Sequence, residues 1–313
     1  CLCMMLTMIP AAFAVEDETV DTRVDSGQAD TVPDDTSSET AAIKTQEALE
    51  AAIESVQTGG TVTLDDDIKV ESTIRITDKS LTLNMRGHKI YNDSPVWNEQ
   101  SGSWSLVSVG SGAELTIMGE GTFKTLNEDC YAVDVIDGGN CTIENGTFVG
   151  NVHAVYVLEG SLVVNGGTFS VQQKYNDTYP DEYVLNCYDA HYKNGTASII
   201  VNGGSFAGFN PRDCRAEGAG TNFCALGRKV TKSTDNDVTI YTVEKLNDGQ
   251  MVVNPVPSED GSVSASLEGT YTNSTSTVVG SEEGEPSGSV QNNTVFVNLT
   301  PDGSGSTTSA SLN

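Results

Sequence analysis

The chain is 313 residues long and carries 44 Asp and Glu against 16 Lys and Arg, a formal net charge of -28. So acidic a chain lacks the clustered Lys and Arg that phosphate binding needs, so nucleic acid is not an expected partner. Its 31 glycines, with aromatics at only 6%, favour a turn-rich β protein over a helical bundle.

Cys1 to Ala14 run through Leu2, Met4, Met5, Leu6, Met8 and Ile9 to a small-x-small end at Ala12-Phe13-Ala14. Residues 1–14 therefore read as the remnant of a secretory signal peptide, with cleavage expected after Ala14 and a secreted or cell-surface destination. Residues 15–40 are acidic, rich in Ser, Thr, Gly and Pro, and poor in groups to bury, as expected of a disordered linker. No other segment reaches the roughly 18 to 20 apolar residues of a transmembrane helix. Beyond the leader lie Cys130, Cys141, Cys187, Cys214 and Cys224, an odd set that cannot all pair within one chain. Cys214 and Cys224 share a loop suited to a disulfide, Cys141 falls on a core position, and mostly free thiols fit equally well. No close Cys or His pair has zinc-ligand spacing, so neither a metal nor a cofactor is expected. Asp65-Asp66-Asp67 and Asp235-Asn236-Asp237 offer at most weak Ca²⁺ binding.

Between Thr45 and Val56 the apolar residues Ala48, Leu49, Ala52, Ile53 and Val56 share one helical face, with Thr45 as the expected cap and Gly59-Gly60 as the stop. The chain then repeats itself. Leu115 to Phe123, Cys141 to Phe148, Leu162 to Phe169 and Ile199 to Phe206 align, the later copies ending in Asn-Gly-Gly-Thr/Ser-Phe. A second strand precedes three of these copies: Ala132-Val-Asp-Val135, Ala154-Val-Tyr-Val157 and Tyr183-Val-Leu-Asn186. Leu81 to Leu83 and Leu106 to Val109 are looser copies. Strands this short cannot bury an apolar face alone, so the repeats are expected to stack, with equivalent residues about 4.8 Å apart. The four Phe should then form an internal ladder, and Asn145, Asn165 and Asn202 an amide ladder at a turn. The helix is placed to cover the exposed strand edges at one end of the stack.

The helix, Gly59 to Leu64, Leu81 to Ile90 and the recurring Asn-Gly-Gly-Thr-Phe resemble the right-handed parallel β-helix, or pectate-lyase-like, domains of secreted and cell-surface bacterial proteins. Gly208-Phe-Asn-Pro211 and Glu217 to Phe223, running on to Val230, resemble the closing segment of that group in gut Firmicutes and their phages. The resemblance spans roughly residues 43–243 and implies an all-β solenoid with an N-terminal capping helix. It implies no activity, since lyases, hydrolases, adhesins and phage tail proteins share this fold. The Arg motif used by the lyases has no match here. Past Val243 the composition turns to Ser, Thr and Gly, and Val263–Leu267, Tyr271 to Val279, Thr294 to Leu299 and Ser309 to Leu312 alternate like sandwich strands. Residues 244–313 are thus expected to form a partial β-sandwich-like domain, incomplete by itself.

Two insertions interrupt the repeat. Residues 92–105 carry Trp97 and Trp104, and residues 171–182 carry Tyr175, Asp177 and Tyr179. The repeat puts both at the same corner, three rungs apart, about 14 Å at 4.8 Å per rung. Exposed aromatics beside carboxylates suit a sugar polymer, so Trp97, Trp104, Tyr175, Tyr179 and Asp177 are the expected ligand-binding residues and a polysaccharide or host or cell-surface glycan the expected partner. Glu128, Asp129, Asp134 and His153 are the candidates for catalysis, though glycoside hydrolysis needs two carboxyl groups about 5 to 10 Å apart and none is marked by a motif. An adhesion or glycan-recognition module is expected first, with a polysaccharide hydrolase or lyase and a structural or phage spacer as alternatives.

Overall fold

A computed structural model describes residues 42–174 and 183–245, together with the backbone of six later strands. The expectations for the leader and linker lie outside these residues, as do Tyr175, Asp177 and Tyr179.

Three parallel sheets form the body. Sheet A holds β1 (Gly60–Thr63), β4 (Ser80–Asn84), β7 (Glu114–Met118), β10 (Gly139–Ile143), β13 (Gly160–Val164) and β16 (Ala197–Val201). Sheet B holds β2 (Ile68–Lys69), β5 (Lys89–Tyr91), β8 (Thr122–Lys124), β11 (Thr147–Gly150), β14 (Thr168–Val171) and β17 (Gly204–Ala207). Sheet C holds β3 (Ile74–Ile76), β6 (Ser105–Val109), β9 (Tyr131–Val135), β12 (Val155–Val157) and β15 (Leu185–Cys187). Each strand pairs with the strand three places on, so one turn of chain visits the three sheets in succession, an arrangement consistent with a parallel β-helix.

The register explains why the repeat folds this way. In sheet A the buried Leu81, Leu115, Cys141, Leu162 and Ile199 fall in line, as do Val62, Leu83, Ile117, Ile143, Val164 and Val201. In sheet B, Phe123, Phe148, Phe169 and Phe206 are wholly buried, with ring centroids 4.9, 5.0 and 5.0 Å apart and planes within 11° of parallel. That separation is one strand spacing, as the ladder requires. Gly139 and Gly160 pair where adjacent rungs come closest: Gly160 has φ 126°, and a Cβ there would lie 2.1 Å from the Gly139 carbonyl oxygen.

Two details of register differ from the sequence expectation. Asn202 Nδ2 donates to Asn165 Oδ1 at 3.0 Å, but Asn165 Nδ2 donates to Glu144 Oε1 at 2.9 Å, so Glu144 and not Asn145 is the third member of the ladder. Ile143 pairs with Val164, which puts the residue after each in line. In sheet C, Leu185 stands opposite Val155, so Val184 rather than Tyr183 continues the Ala132–Ala154 line.

Helix α1 (Gln46–Ser55) starts where expected, the Thr45 hydroxyl accepting the Ala48 N–H at 3.2 Å. It packs Leu49 and Ile53 inward and contacts β1 and β3. Gln46 is buried as well: its amide nitrogen donates to the Ser72 carbonyl, and its oxygen accepts the Glu71 N–H. A one-turn helix not expected from the sequence, α2 (Asp189–Asn194), follows β15 and ends at Gly195, φ 83°. At the far end, β18 (Arg228–Asp235) and β19 (Val238–Lys245) form a hairpin whose second strand pairs antiparallel with β17, covering that edge of sheet B. Beyond it, β20 (Gln250–Val253), β23 (Tyr271–Ser276) and β24 (Val295–Pro301) make one antiparallel sheet, and β21 (Val256–Pro257), β22 (Val263–Leu267) and β25 (Thr308–Leu312) another.

Cys130, Cys141, Cys187, Cys214 and Cys224 are all free thiols, so Cys214 and Cys224 are not joined despite their shared loop. Among the described residues no helix is long and apolar enough to cross a membrane. The acidic run is engaged in local structure: Asp65 accepts the Ile43 N–H and pairs with Arg86, and Asp67 accepts the Lys89 N–H.

Candidate functional site

The first insertion leaves the coil between β5 and β6, and the second between β14 and β15, so both spring from the corner between sheets B and C. What fixes the first is Asp129. Its Oδ2 accepts the Asn92 amide at 2.6 Å and the Val96 N–H at 2.9 Å, and its Oδ1 accepts the Trp97 N–H at 2.9 Å. With both oxygens occupied and the side chain buried, Asp129 is a clamp for the insertion rather than the free acid or base expected of it. Arg75 holds the other side, its Nη2 donating to the carbonyls of Ser101 and Gly102 at 2.9 Å each. Asp129→Ala should therefore strand buried N–H groups at about 1–3 kcal/mol each and loosen the insertion. Since the chain's two Trp both lie on it, acrylamide quenching of tryptophan fluorescence should rise.

The clamp sets Trp97, 37% exposed, at the head of a group of rings. Trp97 meets Tyr131 edge-on at 5.5 Å; Tyr131 lies 5.0 Å from His153 and 5.3 Å from Tyr156. His153 stacks on Tyr156 at 5.4 Å and meets Tyr183 edge-on at 6.4 Å. Trp104 is half-buried, and its carbonyl accepts the Tyr131 N–H. His153, a catalytic candidate from the sequence, is enclosed by these rings. It is buried, its Nδ1 lies 2.7 Å from the Tyr183 carbonyl oxygen, and burial depresses its pKa to about 4. A neutral imidazole bonded in this way carries its proton on Nδ1. Glu128 is exposed, with its N–H bonded to Asn151 Oδ1.

Across sheet C the register aligns Arg75, Ser108, Asp134, Tyr156 and Asn186, one per strand, alternating with the buried Val and Ile that face the core. Asp134 is wholly buried on this line. Burial raises its pKa to about 6; the nearby Ser108 and Ser105 hydroxyls and the Arg75 charge act in the opposite sense, yet neither carboxylate oxygen meets a donor in hydrogen-bond geometry. The Ser108 hydroxyl is likewise buried without a partner. Farther along, the Asn186 amide stands 3.4 Å from His153 Nε2 and, in its alternative orientation, donates to Glu217 Oε1 at 3.3 Å. Glu217 accepts the Cys187 N–H on the last strand of the sheet; burial lifts its pKa to about 7, against the lowering effect of that bond.

The result is a cluster of mutually packed rings with a carboxyl group at either end. Asp134 and Asn186 are two strands apart, about 10 Å, and Glu217 lies past Asn186. Burial raises the pKa of both carboxyls. Of the sequence candidates, Trp97, Asp129, Asp134 and His153 converge here. Tyr131, Tyr156, Arg75, Ser108, Asn186 and Glu217 were not singled out. The third residue of the Ala-Val-x-Val motif marks Asp134 and Tyr156 as equivalent, and the one-residue misalignment at Tyr183 hid Asn186 from the same set.

No family model matches the chain, nor does any curated protein or solved structure.

Proposed function

We propose that the chain is a secreted or cell-surface carbohydrate-recognition module, built on a right-handed parallel β-helix of the pectate-lyase-like kind, with α1 as its cap and the later strands as a sandwich-like domain. The observation that carries this reading is the run of rings from Trp97 through Tyr131 and Tyr156, beside Asp134 and Asn186 on one face of sheet C. Sugar rings stack their C–H faces on aromatic side chains and give their hydroxyls to carboxylates and amides, and aromatic groups with a polar handle are the usual anchors of such surfaces. The stacked strands hold the rings of Tyr131 and Tyr156 in fixed register, so little ordering of these side chains is left for binding.

Incubating the full chain with a panel of neutral and acidic polysaccharides, while following retention and new reducing or unsaturated ends together, tests this directly. Retention without product is the expected result. Replacing both Trp97 and Trp104 by Ala should abolish it with little change in melting temperature. A collapse of stability instead would make the two rings packing elements, and an absence of both retention and product would favour a spacer. A second reading, a hydrolase with Asp134 as general acid, draws on the raised pKa of that group in a face of aromatic rings. New reducing ends, lost in Asp134→Asn, would establish it.

A further inference from the structure

The buried polar atoms on the outer line of sheet C suggest which glycans this face accepts. Asp134 has two carboxylate oxygens and Ser108, its register partner, one hydroxyl, all buried and without a partner in hydrogen-bond geometry, although the Ser108 and Ser105 hydroxyls lie close enough to favour the carboxylate. Arg75, the cation of the same line, gives its Nη2 to Ser101 and Gly102 of the insertion. A buried carboxylate with no donor is costly, and it favours any ligand group that brings both a positive charge and N–H donors. Next to Asp134 in register stands Tyr156, whose ring is 5.3 Å from that of Tyr131, and a cation over such ring faces gains further attraction. The chain's net charge of -28 draws cationic polymers and repels uronates.

Resting on the glycan reading above, we propose that Asp134 and Ser108 form an acidic subsite for a protonated amine, so that the preferred ligand is an amino-sugar polymer whose nitrogen is free rather than acetylated. The ammonium donates to the two Asp134 oxygens while its sugar ring lies on Tyr131 and Tyr156. Asp134 is covered, so in this proposal the amine displaces a neighbouring segment; Arg75, its neighbour in register once removed, is bonded to the insertion that carries Trp97 and Trp104, so binding is read by tryptophan fluorescence. The charged groups that act on Asp134 are Arg75 on β3 and Asp137 on the turn after β9, with Tyr156 beside it on β12.

The test is a titration of the full chain near pH 6.5 with oligomers of glucosamine and of N-acetylglucosamine of equal length, read by tryptophan fluorescence and by calorimetry. The free-amine oligomer should bind at least about tenfold tighter, the equivalent of ~1.4 kcal/mol, and should change the fluorescence. Asp134→Asn should abolish the preference and bring the two oligomers level. Equal binding by the wild type, or a preference that survives in Asp134→Asn and vanishes only at high salt, overturns the subsite, because general attraction to an acidic chain then suffices; the glycan-binding face itself would stand. If neither oligomer binds but the polysaccharide panel does, the amine proposal fails alone. If nothing binds at all, it fails together with the recognition reading.

Discussion

Phe148→Ala should destabilise the coil by about 3 to 5 kcal/mol, the range for removing a large ring from a well-packed core. Phe148 is wholly buried and stacked on both sides, 4.9 Å from Phe123 and 5.0 Å from Phe169. Strands above and below hold the neighbouring rings at strand spacing, so the gap cannot close without breaking the parallel pairing of β8, β11 and β14. Stacked repeats draw much of their stability from nearest-neighbour interfaces, and this one variant weakens two of them. Urea unfolding followed by circular dichroism gives the value. A loss below about 1 kcal/mol would mean that the ladder is not the core its geometry implies.

The second large effect is a pair of opposing titrations. Folding raises the Asp134 pKa from 3.8 to about 6, so the native state holds its proton more tightly than the unfolded chain. That contribution to stability is fully present below the unfolded pKa and is lost as pH rises through about 6. Two units at about 1.4 kcal/mol each make it about 3 kcal/mol. His153 runs the other way: its pKa falls from 6.5 to about 4, so its contribution is present above the unfolded pKa and is lost as pH falls through about 4. Glu217, raised from 4.5 to about 7 but only half-buried, adds a smaller slope of the Asp134 sign. Between these limits the wild type should look nearly flat. Asp134→Asn should be more stable than wild type at neutral pH and gain stability with rising pH across the acidic range. His153→Gln should lose stability across it. Chemical denaturation at several pH values from mildly acidic to neutral measures both slopes. Parallel curves for wild type and Asp134→Asn would show that Asp134 titrates normally and is not buried as described.

Much of the scaffold was legible because its cause is local and repeated. Alternation of Leu, Ile and Val with Thr and Ser marks each strand, a Gly turn ends it, and the returning Phe marks the period. The helix was legible from its apolar face and the Thr45 cap. The site was legible only in part. Trp97, Asp129 and Asp134 were all candidates by residue type, but nothing in the order of residues marks Asp129 as the clamp, because its three donors come from a segment more than thirty positions away. His153 was a candidate by residue type alone; its burial among Tyr131, Tyr156 and Tyr183 follows from neighbours that only stacking brings together.

What the sequence by itself determined is the periodic part: short parallel strands, an aromatic ladder inside the coil, an acidic chain and two insertions at one corner. These depend on spacing along the chain, which stacking converts directly into position. What only the tertiary structure decided is which polar groups are satisfied. Asp129 and Asp134 are both buried acids separated by five positions, yet one holds three N–H donors and neither oxygen of the other meets a donor in hydrogen-bond geometry. The difference arises because a side chain's charge and bonding depend on which distant donors the fold brings within about 3 Å of it.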